Sequence, residues 1–139
     1  MAKEGADARP STILIVDDEE RNRRLLEVFV RADGYRTVTA DCGENGIALA
    51  RSGRPDLILL DLMMPGLDGF DAARALNADP RTAAIPVVIV TSLDDAGARS
   101  RSATAGAAAL IVKPVDRWQL SEVLRRLLQP RGDGGDARG

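Results

Sequence analysis

Apolar residues along this chain fall into five short runs. Between the runs lie longer stretches where they recur every three or four positions. The densest run is Leu57-Ile58-Leu59-Leu60, bounded by Pro55 and by Pro65-Gly66. Unbroken apolarity over so few residues predicts a strand buried on both faces, as in the middle of a parallel sheet. Thr12–Val16, Ile85–Val90 and Ala108–Val112 read the same way, and the weaker Tyr35–Ala40 predicts an edge strand.

The intervening stretches predict helices. Leu25, Leu26 and Phe29 share a face with Asn22, and Gly34 is placed to end that helix. Glu44–Ser52 predicts a second helix with Ile47, Ala48 and Ala50–Arg51 around it, stopped by Gly53. In the third, Gly69–Ala78, Phe70, Ala73 and Leu76 face inward, and Asp79-Pro80-Arg81 breaks it. Asp95 can cap a fourth, running to about Ala105 with Gly106 behind it. Its apolar face is alanine alone, so it should be the least firmly docked. The fifth carries the fullest signals: Asp116 as cap with Gln119 three residues on, a Val115–Leu120 staple, and a stripe of Leu120, Val123, Leu124, Leu127 and Leu128. Five strands alternating with five helices imply a doubly wound α/β fold, a five-stranded parallel sheet with right-handed crossovers.

At 139 residues the chain fits one domain. We place it at 12–129, with flexible tails at 1–11 and 130–139. A net charge of −2 offers no electrostatic footprint for nucleic acid or an anionic membrane. Cys42 is the single cysteine, which rules out an internal disulfide and fits a reducing compartment. No apolar run nears the roughly 18 residues of a membrane span, and the polar start has no secretory pattern. The expected location is the cytoplasm. Histidine is absent, which excludes imidazole ligands and histidine-based catalysis within the chain. Among 19 basic residues only Lys3 and Lys113 are lysine, so Lys113 is the one compact point charge inside the fold.

Ligands of open parallel sheets bind beyond the carboxyl ends of the strands. There the chain places Asp17 and Asp18 after the first strand, Asp61 after the third, Thr91 after the fourth and Lys113 after the fifth. Three carboxylates so close repel one another unless a cation joins them, and an all-oxygen set suits Mg²⁺. A cation, an ammonium and a hydroxyl around one carboxylate are what phosphoryl transfer to that carboxylate requires.

Four motifs now stand in order: Ile13-Leu14-Ile15-Val16-Asp17-Asp18-Glu19, the stretch Pro55 to Gly69, Val88-Ile89-Val90-Thr91-Ser92, and Ala105 to Pro114 ending in Lys113. Together they resemble the receiver domain of bacterial two-component response regulators. The resemblance implies the flavodoxin-like strand order 2-1-3-4-5, for which a protein of this family is a standing example. It implies that Asp61 accepts phosphate from a phosphohistidine on a sensor histidine kinase or histidine phosphotransfer protein. Asp18, Asp61 and the backbone carbonyl of Met63 would hold Mg²⁺, with Asp17 orienting the site through water. Lys113 and the Thr91 hydroxyl would bond the phosphoryl oxygens, and Pro114 would follow a cis peptide bond. The output would be a phosphorylation switch that changes a downstream protein partner through the fourth helix, fifth strand and fifth helix, a face that could also form a homodimer. The chain would be no enzyme toward other substrates.

This sequence departs from the family's pattern at Leu110, where an aromatic is usual three residues before the lysine. Met63 and Leu93 are apolar where the family positions or excludes the hydrolytic water, which implies slow self-dephosphorylation. Two other classes compete. An interaction module that is never phosphorylated would dispense with Asp17, Asp18, Thr91 and Lys113. An aspartate-nucleophile phosphatase would want its Asp-x-Asp pair after the first strand. Elsewhere, Trp118 reads as exposed, Cys42 as a small helix-start residue, and Arg23-Arg24 as a solvated face.

Overall fold

The structure, a computed structural model, describes residues 10–92 and 96–128. The expected tails, apart from Pro10 and Ser11, lie outside the described residues, as do Leu93 and the Asp95 cap. The elements alternate in chain order: β1 (Thr12–Val16), α1 (Glu20–Ala32), β2 (Arg36–Ala40), α2 (Gly43–Gly53), β3 (Leu57–Asp61), α3 (Gly69–Ala78), β4 (Val87–Thr91), α4 (Ala96–Thr104), β5 (Ala109–Val112) and α5 (Arg117–Leu127). The strands form one parallel sheet in the order β2-β1-β3-β4-β5. That is the expected order, with β2 at the edge.

Side chains alternate across the sheet with the period of two that a strand imposes. Leu14, Val16, Ile58, Leu60 and Ile89 point to one side and pack with Ile47, Phe70 and Leu76 of α2 and α3. Ile13, Ile15, Leu57, Leu59, Val88, Val90 and Ile111 point to the other, against Leu26 and Val30 of α1 and Leu120, Val123 and Leu124 of α5. Both faces are covered, which is why β3 and β4 are buried along their whole length.

Two local expectations need correction. The inward residues of α1 are Leu26 and Val30, with Phe29 at the margin, whereas Leu25 is 47% exposed. The helix is turned toward Val30 by less than one residue's step of roughly 100°. Its end is as expected: Gly34, with φ +92°, donates to the Arg31 carbonyl, and Tyr35 to that of Val30. The second correction concerns the end of α2. The left-handed residue there is Arg54, with φ 45° and its N–H on the Ala50 carbonyl, one position beyond Gly53. Pro55 then forbids continuation.

Side-chain caps fix the starts of α2, α3 and α5. Cys42 Sγ accepts the Asn45 N–H at 3.4 Å, Asp68 that of Asp71 at 2.9 Å, and Asp116 those of Trp118 and Gln119. Among the described residues no helix is long and apolar enough to cross a membrane.

Candidate functional site at the carboxyl edge of the sheet

The register decides what meets at this edge. Val16 pairs with Leu60, Asp61 with Val90, and Thr91 with Val112. Asp17, Asp61, Thr91 and Lys113 therefore emerge within a residue of one another on four adjacent strands. Asp17, Asp61 and Lys113 continue the pleat phase of Ile15, Leu59 and Ile111. Thr91 continues that of Ile89, whose cross-strand partner is Leu110. The hydroxyl residue thus lies on the α3 side of the sheet.

Asp17, Asp18 and Asp61 each offer a carboxylate oxygen, and these atoms lie within 4.8 Å of one another. Lys113 Nζ stands 3.1 Å from Asp61 Oδ1 and 3.7 Å from Asp17 Oδ2. Asp17 Oδ1 accepts the Glu19 N–H at 2.9 Å, while its Oδ2 is buried without a hydrogen-bond partner. Asp17, Asp61 and Thr91 are buried, and Asp18 is exposed. Burial pushes the Asp17 carboxyl up, against the pull of the Glu19 N–H and Lys113. Burial also raises Asp61, helped by the charge on Asp17 and opposed by Lys113 and the Met63 N–H. One ammonium does not balance three carboxylates.

This arrangement fits a hard divalent cation. The donors are all oxygen, one buried oxygen lacks a hydrogen-bond partner, and the exposed Asp18 leaves room for the water that Mg²⁺ retains. Met63 follows Asp61 by two residues and is 62% exposed. The structure brings Asp17, Asp18, Asp61 and Lys113 together, with Thr91 ending the adjacent strand, and the Lys113–Pro114 peptide is cis, as the resemblance implied.

Three features were missed by reading the sequence. Arg23, read there as solvated, sends Nη1 to the Asp17 carbonyl at 2.7 Å. Gly69 donates its N–H to the Leu62 carbonyl at 3.0 Å, and a Cβ on it would stand 2.6 Å from Leu62 Cα and 2.7 Å from the Asp61 carbonyl oxygen. Only glycine lets α3 start this close to the end of β3. Arg101 of α4 lays its guanidinium over Phe70 of α3, 4.1 Å from the ring centroid, which gives the alanine-faced helix a docking contact.

Comparison with known proteins agrees with this geometry. The family model of the response regulator receiver domain matches residues 13–125. The chain is 46% identical over 115 residues to the response regulator PleD of Caulobacter vibrioides, covering 83% of this chain and 25% of PleD. It is 40% identical to protein PilH of Pseudomonas aeruginosa, covering 84% of this chain and 96% of PilH. It therefore spans about a quarter of the first relative and nearly all of the second. Among solved structures, the receiver domain of the Pseudomonas aeruginosa sensor histidine kinase PA1611, with magnesium coordinated in its active-site cleft, superimposes with a TM-score of 0.81. That pair is 30% identical, over 87% of this chain and 99% of that one. The Vibrio cholerae chemotaxis protein CheY4 gives 0.81 at 27% identity, over 86% and 99%.

Proposed function

The chain belongs to the response regulator receiver domain family, whose members are signalling switches worked by histidine kinases on downstream targets, and from that premise we propose that Asp61 is its phosphoacceptor. The observation that carries the reading is the pairing of a buried Asp61 with Lys113 at 3.1 Å, beside the carboxylates of Asp17 and Asp18. A phosphohistidine on a kinase or phosphotransfer protein is the donor. A carboxylate oxygen of Asp61 forms the new P–O bond as the P–N bond breaks, and the electron pair leaves with the imidazole. Lys113, already at hydrogen-bond distance from Asp61, is positioned to bond the oxygens of the arriving group, as Thr91 is from the neighbouring strand. Asp17, Asp18, Asp61 and the Met63 carbonyl are the groups that would hold Mg²⁺, whose chemistry is to neutralise phosphoryl charge.

The readout runs through the α4-β5-α5 face. Thr91 shares a sheet face with Leu110, which packs among the same residues as Phe70, and Phe70 carries Arg101 of α4. Leu110 has no ring to swing, so this route works through packing of α4. Trp118, 72% exposed on α5 with Arg117 stacked 4.9 Å from its centroid, offers a protein partner an aromatic anchor.

Intact mass after incubation with a small phosphodonor tests the reading. A Mg²⁺-dependent gain of one phosphoryl group, absent in Asp61→Asn, is expected. No gain in the wild-type chain would favour an interaction module that is not phosphorylated.

A further inference from the structure

Past Val16, β1 has left its ladder with β3, because the last registered pair is Val16 and Leu60. The Asp17 N–H still reaches the Ala40 carbonyl of β2 at 3.1 Å, which holds the peptide before Asp17. The peptide after Asp17 has no strand to hold it, and it is the one that aims Asp18. Arg23 supplies the missing partner. Its backbone N–H is committed to the helix through the Glu19 carbonyl, and its guanidinium Nη1 donates to the Asp17 carbonyl at 2.7 Å. The bond is partly buried and spans the turn between β1 and α1. The guanidinium goes to a main-chain oxygen rather than to a carboxylate.

We propose that Arg23 is a positioning residue for the cation site: by fixing the Asp17–Asp18 peptide it holds the exposed Asp18 carboxylate beside Asp17 and Asp61. The inference rests on the reading of these three acids as a Mg²⁺ site. It carries a sign that distinguishes it from simple electrostatics. A guanidinium near an acidic cluster repels an arriving cation, so removing its charge should by itself tighten binding. Loss of a positioning bond should weaken it, as loss of groups that orient metal ligands does.

The test is a calorimetric Mg²⁺ titration of the full chain without phosphodonor, with a metal-free thermal melt of each protein. Arg23→Met is expected to weaken Mg²⁺ binding about tenfold, and Arg23→Lys, which keeps a donor, to recover most of the loss. Should Arg23→Met not fold, Arg23→Gln, also neutral and shorter, takes its place. Binding by the neutral variant as tight as wild type, or tighter, overturns the proposal. So does a fall in metal-free melting temperature with no change in Mg²⁺ affinity, which would mark a purely structural contact. So does equal weakening in Arg23→Lys and Arg23→Met. Failure of the wild-type chain itself to bind Mg²⁺ would instead overturn the reading of the acids as a cation site.

Discussion

Lys113 and Asp61 are separated by 52 positions in the chain, yet Nζ and Oδ1 lie 3.1 Å apart with the carboxylate buried. Parallel topology makes the meeting unavoidable, since the ends of β3 and β5 flank the end of β4. The pair is under-neutralised, because Asp17 and Asp18 share the same volume. A site with surplus negative charge stores repulsion that a cation relieves, and this has a thermodynamic signature.

Mg²⁺ should stabilise the folded chain, because the three acids converge only when folded. At a concentration 100 times the dissociation constant the gain is about 2.7 kcal/mol. Asp18→Asn removes one ligand that is exposed and opens no cavity. Its metal-free melting temperature should equal or exceed that of the wild type, since one like charge is gone, while the Mg²⁺-dependent rise largely disappears. Paired melts with Mg²⁺ and with EDTA check both halves.

Gly69 and Gly53 should answer the same substitution oppositely. A Cβ at Gly69 meets backbone atoms of Leu62 and Asp61 under 3 Å away, and backbone cannot rotate aside. Gly69→Ala should cost at least the roughly 1–3 kcal/mol of overpacking and displace Asp61, so that phosphoryl uptake falls with stability. Nothing lies within 4 Å of a Cβ on Gly53, which is helical. Gly53→Ala should stabilise by about 0.5–1 kcal/mol and leave uptake alone. Urea unfolding beside a mass-based uptake assay separates the two.

These examples show what the sequence carried and what it did not. The strands were legible because unbroken apolar runs this short leave little choice. The site was legible because carboxyl ends of parallel strands share a rim whatever their spacing. Arg23 was hidden because Leu25, Leu26, Phe29 and Val30 allow α1 more than one rotation, and only the one that buries Val30 turns Arg23 to the Asp17 carbonyl. The docking of α4 was hidden because a cation makes it: a search for apolar faces passes over Arg101. Close approach at Gly69 leaves no periodic trace at all.

Asp79 sets a pH dependence away from the site. Its Oδ1 accepts from the Arg81 N–H and Nε, and its Oδ2 from Arg81 Nη2 and from Arg51 Nε at 2.7 Å, tying the end of α3 to α2. The Arg81 contacts foremost, with Arg51, hold this carboxyl well below its ordinary 3.8. The folded chain therefore binds fewer protons here than the unfolded chain, and the contribution is complete above the unfolded value. It is lost as pH falls from about 5 through 3.8 toward the lower folded value. The stability gap between wild type and Asp79→Asn should be constant from pH 7 to about 5 and shrink below that. Urea titrations across the range measure it; a gap that widened toward acid would contradict the assignment.

Met63 is expected to prolong the phosphorylated state. The residue is 62% exposed, two positions from Asp61, and its thioether cannot orient a water for attack on phosphorus. A side chain able to accept a hydrogen bond from water at this position would supply that orientation and leave the backbone carbonyl in place for the cation. After removal of the phosphodonor, the wild-type chain should lose its phosphoryl group slowly, and Met63→Asn severalfold faster under the same Mg²⁺. The decay is read as intact mass against time. Equal rates in the two proteins would show that the water is positioned by other groups, and that the persistence of the signal is set elsewhere in the site.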